Sequence, residues 1–207
     1  MIKTKTAPLT YENEMYEQGY AMIGGVDEAG RGPLAGPVAA CVVVLPKGLY
    51  IEGVNDSKKL SAKKRGELAA VIKENALDCA VGWASAELID EVNILKASFI
   101  AMARAVGGLK APPDVLLIDG LRAPYEELLP DIPRIFIKGG DSASHSIAAA
   151  SIIAKTERDA VMMELHEKYP QYGFDTNKGY GTVKHREALR KYGAIPLHRR
   201  SFVKDYI

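Results

Sequence analysis

The chain has 207 residues, 47% hydrophobic and 26% charged, so it can bury one core but is too short for two full-size domains. This composition excludes a chain that is disordered throughout. Its 27 basic and 26 acidic side chains give a net charge of +1, which argues against binding a polyanion through bulk positive charge alone.

Cysteine spacing and hydropathy bear on the compartment. Cys41 and Cys79 are far apart in the sequence and form no Cys-x-x-Cys pair, so we expect two buried thiols and no disulfide scaffold or zinc site. No apolar run approaches the roughly 18 residues of a membrane span, and residues 1–20 lack the apolar centre of a secretory signal. These features predict a cytoplasmic protein without a membrane partner.

Short apolar runs alternate with amphipathic stretches along the chain, which predicts an α/β fold. After an N-terminal extension at 1–20, we expect a single domain over 21–207. Its segment 170–207, rich in Gly, Lys, Arg, His and Tyr, is predicted to be a C-terminal satellite. The predicted strands are 22–26, 38–45, 79–84, 115–118 and 134–137, the first three antiparallel, and the predicted helices are 61–77, 86–106, 142–169 and 183–192.

Four acidic residues stand at the ends of these elements. Asp27 and Glu28 end the first strand, Asp119 ends the fourth, and Asp141 precedes the longest helix. Ligand sites of α/β folds lie beyond strand ends, so these acids can converge. Carboxylates about 5 Å apart repel by on the order of 3 kcal/mol per pair at an effective dielectric of 20, so a cluster needs cations or raised pKa values. An oxygen-only ligand set favours Mg²⁺ or Mn²⁺, and two such ions about 4 Å apart perform in-line phosphoryl chemistry.

Ordinary structural roles remain open for each acid. Asp119 with Gly120 is also a turn sequence, and Asp141 can cap a helix that starts near residue 142. Asp27 and Glu28 can form an exposed pair at a strand end. Because side chains alternate along a strand, these two share one site only if the strand stops or bulges between them.

The glycine-rich segment after the first strand matches the dinucleotide fingerprint only formally. Gly30-x-Gly32-x-x-Ala35 has the spacing, but prolines at 33 and 37 and a strand-like run replace the helix that must hold a pyrophosphate. We therefore expect no nucleotide cofactor. The glycines either let the main chain approach a sugar, with Arg31 beside a phosphate, or form a tight turn between strands.

Five blocks, in order along the chain, resemble the ribonuclease HII family. They are GVDEAGRGPLAGPV at 25–38, DSKKLS at 56–61, IDG at 118–120, SIAAASIIAK with a following Arg-Asp at 146–159, and NKGYGT at 177–182, and the sequence HRRSF follows at 198–202. The resemblance implies a ribonuclease H-like fold. Its mixed five-stranded sheet would be flanked by helices, with a helical C-terminal extension.

The function that this resemblance implies is hydrolysis of nucleic acid. The enzyme would cleave 5′ of ribonucleotides in RNA/DNA hybrids and in DNA duplexes with embedded ribonucleotides, with two Mg²⁺ or Mn²⁺ ions, leaving 3′-hydroxyl and 5′-phosphate ends. Such an activity serves ribonucleotide excision, DNA replication and repair, and we expect a monomer. The alternatives are another metal-dependent nuclease on the same fold, such as a DNA junction resolvase, and a non-catalytic nucleic-acid-binding module.

The resemblance also implies roles for individual residues. The four metal-binding catalytic acids carry over to Asp27, Glu28, Asp119 and Asp141. The family commonly has Lys-Gly-Asp before the long helix, whereas this chain has Lys-Gly-Gly-Asp at 138–141, and the extra glycine can move the last carboxylate.

The substrate-binding residues follow in the same way. The Gly-Arg-Gly at 30–32 resembles the loop that recognises the ribose 2′-hydroxyl, and Tyr180 resembles the tyrosine that stacks on the adjoining deoxyribose. Two local basic runs, around 58–65 and 178–191, would contact phosphates, or else are solvated helix faces. The predicted substrate-binding residues are Gly30, Arg31, Gly32, Lys58, Lys178, Tyr180 and His185. Histidines 145, 166 and 198 lack ligand spacing and are expected to be structural.

Overall fold

The computed structural model describes residues 6–207, and these form a mixed five-stranded sheet with helices on both faces. The strands are β1 (Ile23–Ala29), β2 (Val38–Val44), β3 (Asp78–Ala84), β4 (Val115–Asp119) and β5 (Arg134–Ile137). The helices are α1 (Thr10–Glu17), α2 (Ala62–Asn75), α3 (Ala86–Val92), α4 (Ile94–Gly107), α5 (Gly140–Ala143), α6 (His145–Lys168), α7 (Phe174–Asn177), α8 (Val183–Tyr192) and α9 (Arg200–Val203).

The strand order is β3-β2-β1-β4-β5. β1, β2 and β3 pair antiparallel, as their closeness in sequence predicts, whereas β4 and β5 run parallel to β1. The carboxyl ends of β1, β4 and β5 therefore meet at one edge of the sheet. This confirms the predicted mixed five-stranded sheet and places three strand ends where a ligand site is expected.

Alternation along the strands assigns their side chains to two cores. On one face α6 and α2 cover Cys41 and Val43 of β2. On the other face α4 covers Val26 of β1 and Val42 of β2. The first five residues of β1 are buried between α6 and α4, and all of them except Asp27 are apolar or glycine. A charged side chain there has to be held by neighbouring groups or by a ligand.

The predicted helix at 86–106 is two helices that break at Asn93. This residue has a left-handed φ of 70°, and its side-chain oxygen accepts hydrogen bonds from the amides of Leu95 and Lys96. Asn tolerates positive φ and is a favoured N-cap, so it ends α3 and starts α4 without loss of backbone hydrogen bonding. The continuous apolar pattern across the break does not show this change of direction.

The start of the chain packs on the sheet. α1 buries Met15 against Ile23 and Leu117, and the Glu12 carboxylate accepts hydrogen bonds from the hydroxyls of Ser144 and Ser146 at the start of α6. The division of the chain at residue 20 stays a prediction, and residues 1–5 of the predicted extension lie outside the described residues.

The segment 170–207 packs against the turn that follows β1. Tyr172, Phe174 and Leu189 form a small core with Leu34 and Met162. A short β-bridge joins Ala35 to His198. The final part of the chain thereby touches the glycine-rich segment at 30–36, which we call the glycine loop.

The two cysteines are neighbours in space. Cys41 on β2 is buried and Cys79 on β3 is only partly buried, and their free sulfur atoms lie 3.7 Å apart. Within residues 6–207, every helix is too short or too polar to cross a lipid bilayer.

Gly25 allows α6 to lie directly on β1, and this contact can be tested. A methyl group at Gly25 would overlap the main-chain carbonyl of Ser146. We expect Gly25→Ala to lower the free energy of unfolding by about 2 kcal/mol, the usual scale of overpacking a core. As a matched control, Gly66→Ala on the exposed side of α2 meets nothing within 4 Å and should stabilise by up to about 1 kcal/mol. Urea denaturation measures both, and equal effects of the two substitutions would contradict this account of the contact.

Candidate active site

Three aspartates form a compact acidic cluster at the edge where β1, β4 and β5 end. Asp27, Asp119 and Asp141 each offer a carboxylate oxygen, and these three atoms lie within 4.8 Å of one another. Asp27 and Asp141 are buried and Asp119 is partly buried. The structure thus brings together residues that are up to 114 positions apart in the sequence.

Strand pairing places the first two aspartates side by side. β1 and β4 are parallel, with Val26 paired to Ile118, so Asp27 and Asp119 occupy the next positions on adjacent strands. Both side chains project to the face that α6 covers, because the residues two positions earlier, Gly25 and Leu117, pack on that helix. Register and alternation alone therefore create this pair of like charges.

The third aspartate reaches the cluster through two glycines, Gly139 just before α5 and Gly140 at its start. The Gly140 amide donates a hydrogen bond to the Asp119 carboxylate over 2.7 Å, which fixes the chain immediately before Asp141. Gly139 has a left-handed φ of 69°, and a methyl group on Gly140 would come within 2.6 Å of Ile147. The additional glycine is accommodated by this close packing, and the Asp141 carboxylate lies in the cluster.

Glu28 lies at the border of the cluster, not within it. β1 continues to Ala29 with one-to-one pairing to β2 and no bulge, so Glu28 points to the opposite face from Asp27. Its carboxylate accepts a hydrogen bond from Arg31 over 3.1 Å. The condition that the strand stops or bulges between the two acids is therefore not met, and a ligand role for Glu28 stays a prediction.

The electrostatics of the cluster match its crowding. Burial, reinforced by Glu28 and Asp119, raises the pKa of Asp27 well above its ordinary value. Burial followed by repulsion from Asp56 and Asp119 raises the pKa of Asp141. Burial also raises the pKa of Glu28, although Arg31 opposes this shift. The carboxylates thus favour either protons or a bound cation.

Lys58 supplies one positive charge to the cluster. Its ammonium lies 3.4 Å from Asp141, while three quarters of its side chain stay exposed. Burial alone would lower its pKa, but Asp141 and Asp56 raise it. Two other charged residues of this basic run are engaged elsewhere, since Arg65 pairs with Asp159 and Lys59 with Asp56. Lys58, exposed and close to Asp141, is placed to meet an anion at the site.

The donor set fits a hard divalent cation. Three carboxylates at the end of a sheet offer only oxygen ligands, which suit Mg²⁺ or Mn²⁺, and neither a cysteine nor a histidine belongs to the cluster. Burial and repulsion between neighbouring acids raise the pKa values of Asp27 and Asp141, so holding these two groups ionised costs free energy that a bound cation would offset.

A cleft of about 200 Å³ opens beside the cluster. The glycine loop forms one wall, and Tyr180, which is 45% exposed, stands over Gly32. Lys58 and Lys155 add positive charge. The predicted residues Gly30, Arg31, Gly32, Lys58 and Tyr180 all line this cleft.

Two other predicted substrate contacts lie elsewhere. His185 is fully buried: one ring nitrogen lies 2.9 Å from the Tyr180 carbonyl, and the other lies 3.1 Å from His198. The ring lies beneath Tyr180, so this arrangement does not support the predicted contact of His185 with substrate phosphate, which stays a prediction. The Lys178 ammonium folds back onto the Asp175 carbonyl, and its contact with substrate stays a prediction.

The remaining histidines have structural positions. His145 is buried, with one ring nitrogen accepting from the Ile51 amide and the other 3.0 Å from the Ala7 carbonyl. His198 packs on Tyr172. His166 lies 3.2 Å from Asp175. Burial, together with His185, lowers the pKa of His198 to about 4, so this ring is neutral under ordinary conditions.

One face of α6 also borders the cleft and the glycine loop, although none of its residues is among the predicted site residues. Ser151 and Lys155 line the cleft, and Arg158 donates hydrogen bonds to the Ala35 carbonyl of the glycine loop and to the Pro37 carbonyl just after it. These three residues follow the i, i+4, i+7 spacing of one helix face, so polar residues at that spacing within an apolar helix are the signal that identifies them. Arg199 contacts the same loop and has no such periodic signal.

Comparison with known proteins gives one consistent result. The family model described as Ribonuclease HII matches residues 24–205. Ribonuclease HII of Clostridioides difficile is 55% identical over 95% of this chain and 76% of its own length, and that of Acetivibrio thermocellus is 51% identical over 95% and 75%. The crystal structure of ribonuclease H2 from Pyrococcus horikoshii superposes with a TM-score of 0.75 at 28% identity, covering 89% of this chain and 96% of that one.

If the aspartates hold a cation, removing the charge of Asp27 should raise the melting temperature without metal and weaken the stabilisation by metal. Because folding raises the pKa of Asp27, this group stabilises the fold while protonated, and that contribution is lost as the pH rises through the raised pKa. At pH 7–8 without divalent metal, Asp27→Asn should therefore melt at a higher temperature than the parent protein. Mg²⁺ at 100 times its dissociation constant should stabilise the parent by about 2.7 kcal/mol and the variant much less.

The control for this measurement is Asp131→Asn, which changes an exposed acid at the other end of β5. It should leave both melting temperatures close to those of the parent. A destabilised Asp27→Asn protein that responds fully to Mg²⁺ would contradict the assignment of Asp27 as a ligand.

Proposed function

Since the chain belongs to the ribonuclease HII family, we propose that it cuts the phosphodiester on the 5′ side of a ribonucleotide within duplex nucleic acid, leaving 3′-hydroxyl and 5′-phosphate ends. The chain is an endonuclease of the ribonuclease H type, and this family acts on RNA/DNA hybrids. The proposed substrates are such hybrids and DNA duplexes that contain single ribonucleotides.

One observation carries the proposal. The cluster of Asp27, Asp119 and Asp141 lies beside a cleft that the glycine loop lines, and Lys58 connects the two, because it lines the cleft and its ammonium is 3.4 Å from Asp141. An acidic centre beside a main-chain surface suits a substrate with a phosphate next to a sugar that must be recognised. The DNA junction resolvase alternative gains no support from this arrangement, since duplex DNA offers the loop no 2′-hydroxyl.

The proposed role of the acids is to hold divalent metal. Asp27, Asp119 and Asp141 would be its ligands, with Glu28 joining from the border of the cluster. Held by these residues, a pair of such ions would supply activation of water for in-line attack and stabilisation of charge on the leaving 3′ oxygen. No side chain of the cluster has to act as a nucleophile, because the carboxylates serve as ligands and balance charge.

The remaining residues of the cleft would bind and orient the duplex. Lys58 is exposed beside Asp141 and can contact a phosphate next to the scissile one. The exposed Arg31 side chain, now paired with Glu28, can turn to a neighbouring phosphate. Tyr180 offers a ring face against which a sugar can pack, opposite Gly32. Binding through a few such phosphate contacts falls as salt rises.

A cleavage assay tests the proposal. The purified chain with Mg²⁺ should cut a DNA duplex that carries one ribonucleotide, and end-group analysis should find a 3′-hydroxyl on the upstream fragment and a 5′-phosphate on the ribonucleotide. Asp119→Asn should lower the cleavage rate at least about a hundredfold, the scale of removing one electrostatic group from an active site. Its affinity for the uncut duplex in EDTA should change little.

Matched substrates and a matched variant complete that assay. An all-DNA duplex and an all-DNA four-way junction of the same sequence should remain intact, and Asp131→Asn should cleave like the parent. Cutting of the junction but not of the ribonucleotide duplex would refute the proposed substrate. Full activity of Asp119→Asn would refute the ligand role of that residue.

Tyr180 has a separate test. Tyr180→Ala should lower kcat/KM on the single-ribonucleotide duplex by about tenfold, the low end of the range for losing one aromatic stacking partner. Affinity for all-DNA duplex should stay nearly constant. Tyr50 has a similar exposure and follows the end of β2 that is remote from the glycine loop. Tyr50→Ala should therefore leave kcat/KM unchanged. If the two variants behave alike, the proposed contact of Tyr180 is wrong.

A further inference from the structure

Two fully buried arginines lie behind the glycine loop. The side chains of Arg158 on α6 and Arg199 before α9 are the largest among those with less than 2% exposure. Within residues 6–207, neither guanidinium has a carboxylate at ion-pair distance. A buried charge without a counter-ion is costly, so its hydrogen bonds must supply the compensation.

Main-chain carbonyls of the loop, together with those of Pro37 and Lys178 beside it, supply these hydrogen bonds. Arg199 donates to the carbonyl of Gly30 over 2.6 Å, to that of Arg31 over 2.9 Å, and to that of Gly36 through two nitrogens. Arg158 donates to the carbonyls of Pro37, Ala35 and Lys178 over 2.9 to 3.2 Å. Hydrogen bonds from a charged donor are about twice as strong as neutral ones, and the planar fork fixes their directions.

The contacts of Arg199 determine how two successive peptide planes are turned. All peptide bonds of the described residues are trans, so the N–H of each plane points opposite to its C=O. Because the carbonyls of Gly30 and Arg31 both point at Arg199, the N–H groups of Arg31 and Gly32 both point away from it. Two consecutive N–H groups on one side form a small concave donor surface.

This donor surface faces the cleft. Gly30, Arg31 and Gly32 line the cleft, whereas Arg199 is buried beneath them. The amides of Arg31 and Gly32 donate to no acceptor anywhere in the stretch 6–207, although the carbonyls of Gly30 and Arg31 are both engaged. The loop is therefore polarised, with its acceptors used internally and two donors left for a ligand.

We propose that Arg199 is a positioning residue for ribose recognition: it turns the 30–31 and 31–32 peptide planes so that their N–H groups donate to the 2′-hydroxyl oxygen of the bound ribonucleotide. This inference rests on the proposed function, which supplies the ribonucleotide in the cleft. Arg158 holds the other end of the loop through the Ala35 carbonyl. It also donates to the carbonyl of Lys178, two residues before Tyr180. The selectivity of the main chain is thereby set by side chains that never touch substrate.

The test compares affinities for a duplex with one ribonucleotide and for the same duplex with a deoxyribonucleotide at that position, both in EDTA so that hydrolysis does not occur. The parent protein should prefer the ribonucleotide. Arg199→Lys keeps the charge but loses the planar fork, and it should reduce this preference by about tenfold, as expected when one or two hydrogen bonds are lost. Its affinity for the all-DNA duplex should stay within about a factor of two.

The matched control is Arg134→Lys. Arg134 also donates to three main-chain carbonyls, those of Glu126, Pro130 and Ile132, but at the end of β5 remote from the aspartates. Its substitution should lower thermal stability without changing the preference for the ribonucleotide. If Arg199→Lys does not fold, Arg158→Lys takes its place, with a loss of preference in the same direction expected.

The outcomes separate the two proposals. A parent protein that shows no preference for the ribonucleotide overturns the proposed function. A preference that is present in the parent and unchanged in the folded arginine variant overturns only the positioning role. An equal loss of affinity for both duplexes also overturns that role, because the donors would then serve phosphate. If Arg134→Lys loses the preference to the same extent, the effect of Arg199→Lys reflects only lower stability, and the positioning role is overturned.

Discussion

Repulsion among buried carboxylates is the constraint around which this fold is arranged. Three aspartates lie with oxygens within 4.8 Å of one another, and each pair opposes folding by about 3 kcal/mol at an effective dielectric of 20 when both of its carboxylates are ionised. The surrounding structure has to overcome this term. The parallel pairing of β1 with β4, the Gly140 amide on Asp119 and the Lys58 ammonium near Asp141 are the contacts that do so.

The cleft combines two kinds of polar surface that are built in different ways. The acidic side consists of side chains on strand ends, which the regular register of a sheet positions. The glycine loop consists of main chain, and its direction is set from behind by Arg158 and Arg199. A ligand that spans both surfaces must carry a group that binds a cation and, a short distance away, an acceptor for main-chain N–H groups. This requirement limits the ligands that the cleft can select.

The sequence predicted the site where a periodic rule connects the position of a residue in a strand to the direction of its side chain. Strand ends predicted the neighbourhood of Asp27 and Asp119, and alternation predicted that Glu28 shares their site only with a bulge, which β1 lacks. It was less successful where a single residue overrides a pattern, as Asn93 does by dividing one predicted helix into two. The burial of His185 and the contacts of Arg199 depend on tertiary hydrogen bonds between distant segments, and no local pattern encodes those.

The hydrogen bond between Arg199 and Gly30 joins residues 169 positions apart, so it has a consequence for biosynthesis. A chain emerging from the ribosome exposes β1 and the glycine loop early, and all three aspartates of the cluster precede the arginine that contacts the loop. Until residue 199 has been made and has folded onto the loop, the contact proposed to turn the two peptide planes cannot form. The proposed selectivity for ribose would therefore be acquired later than the acidic cluster.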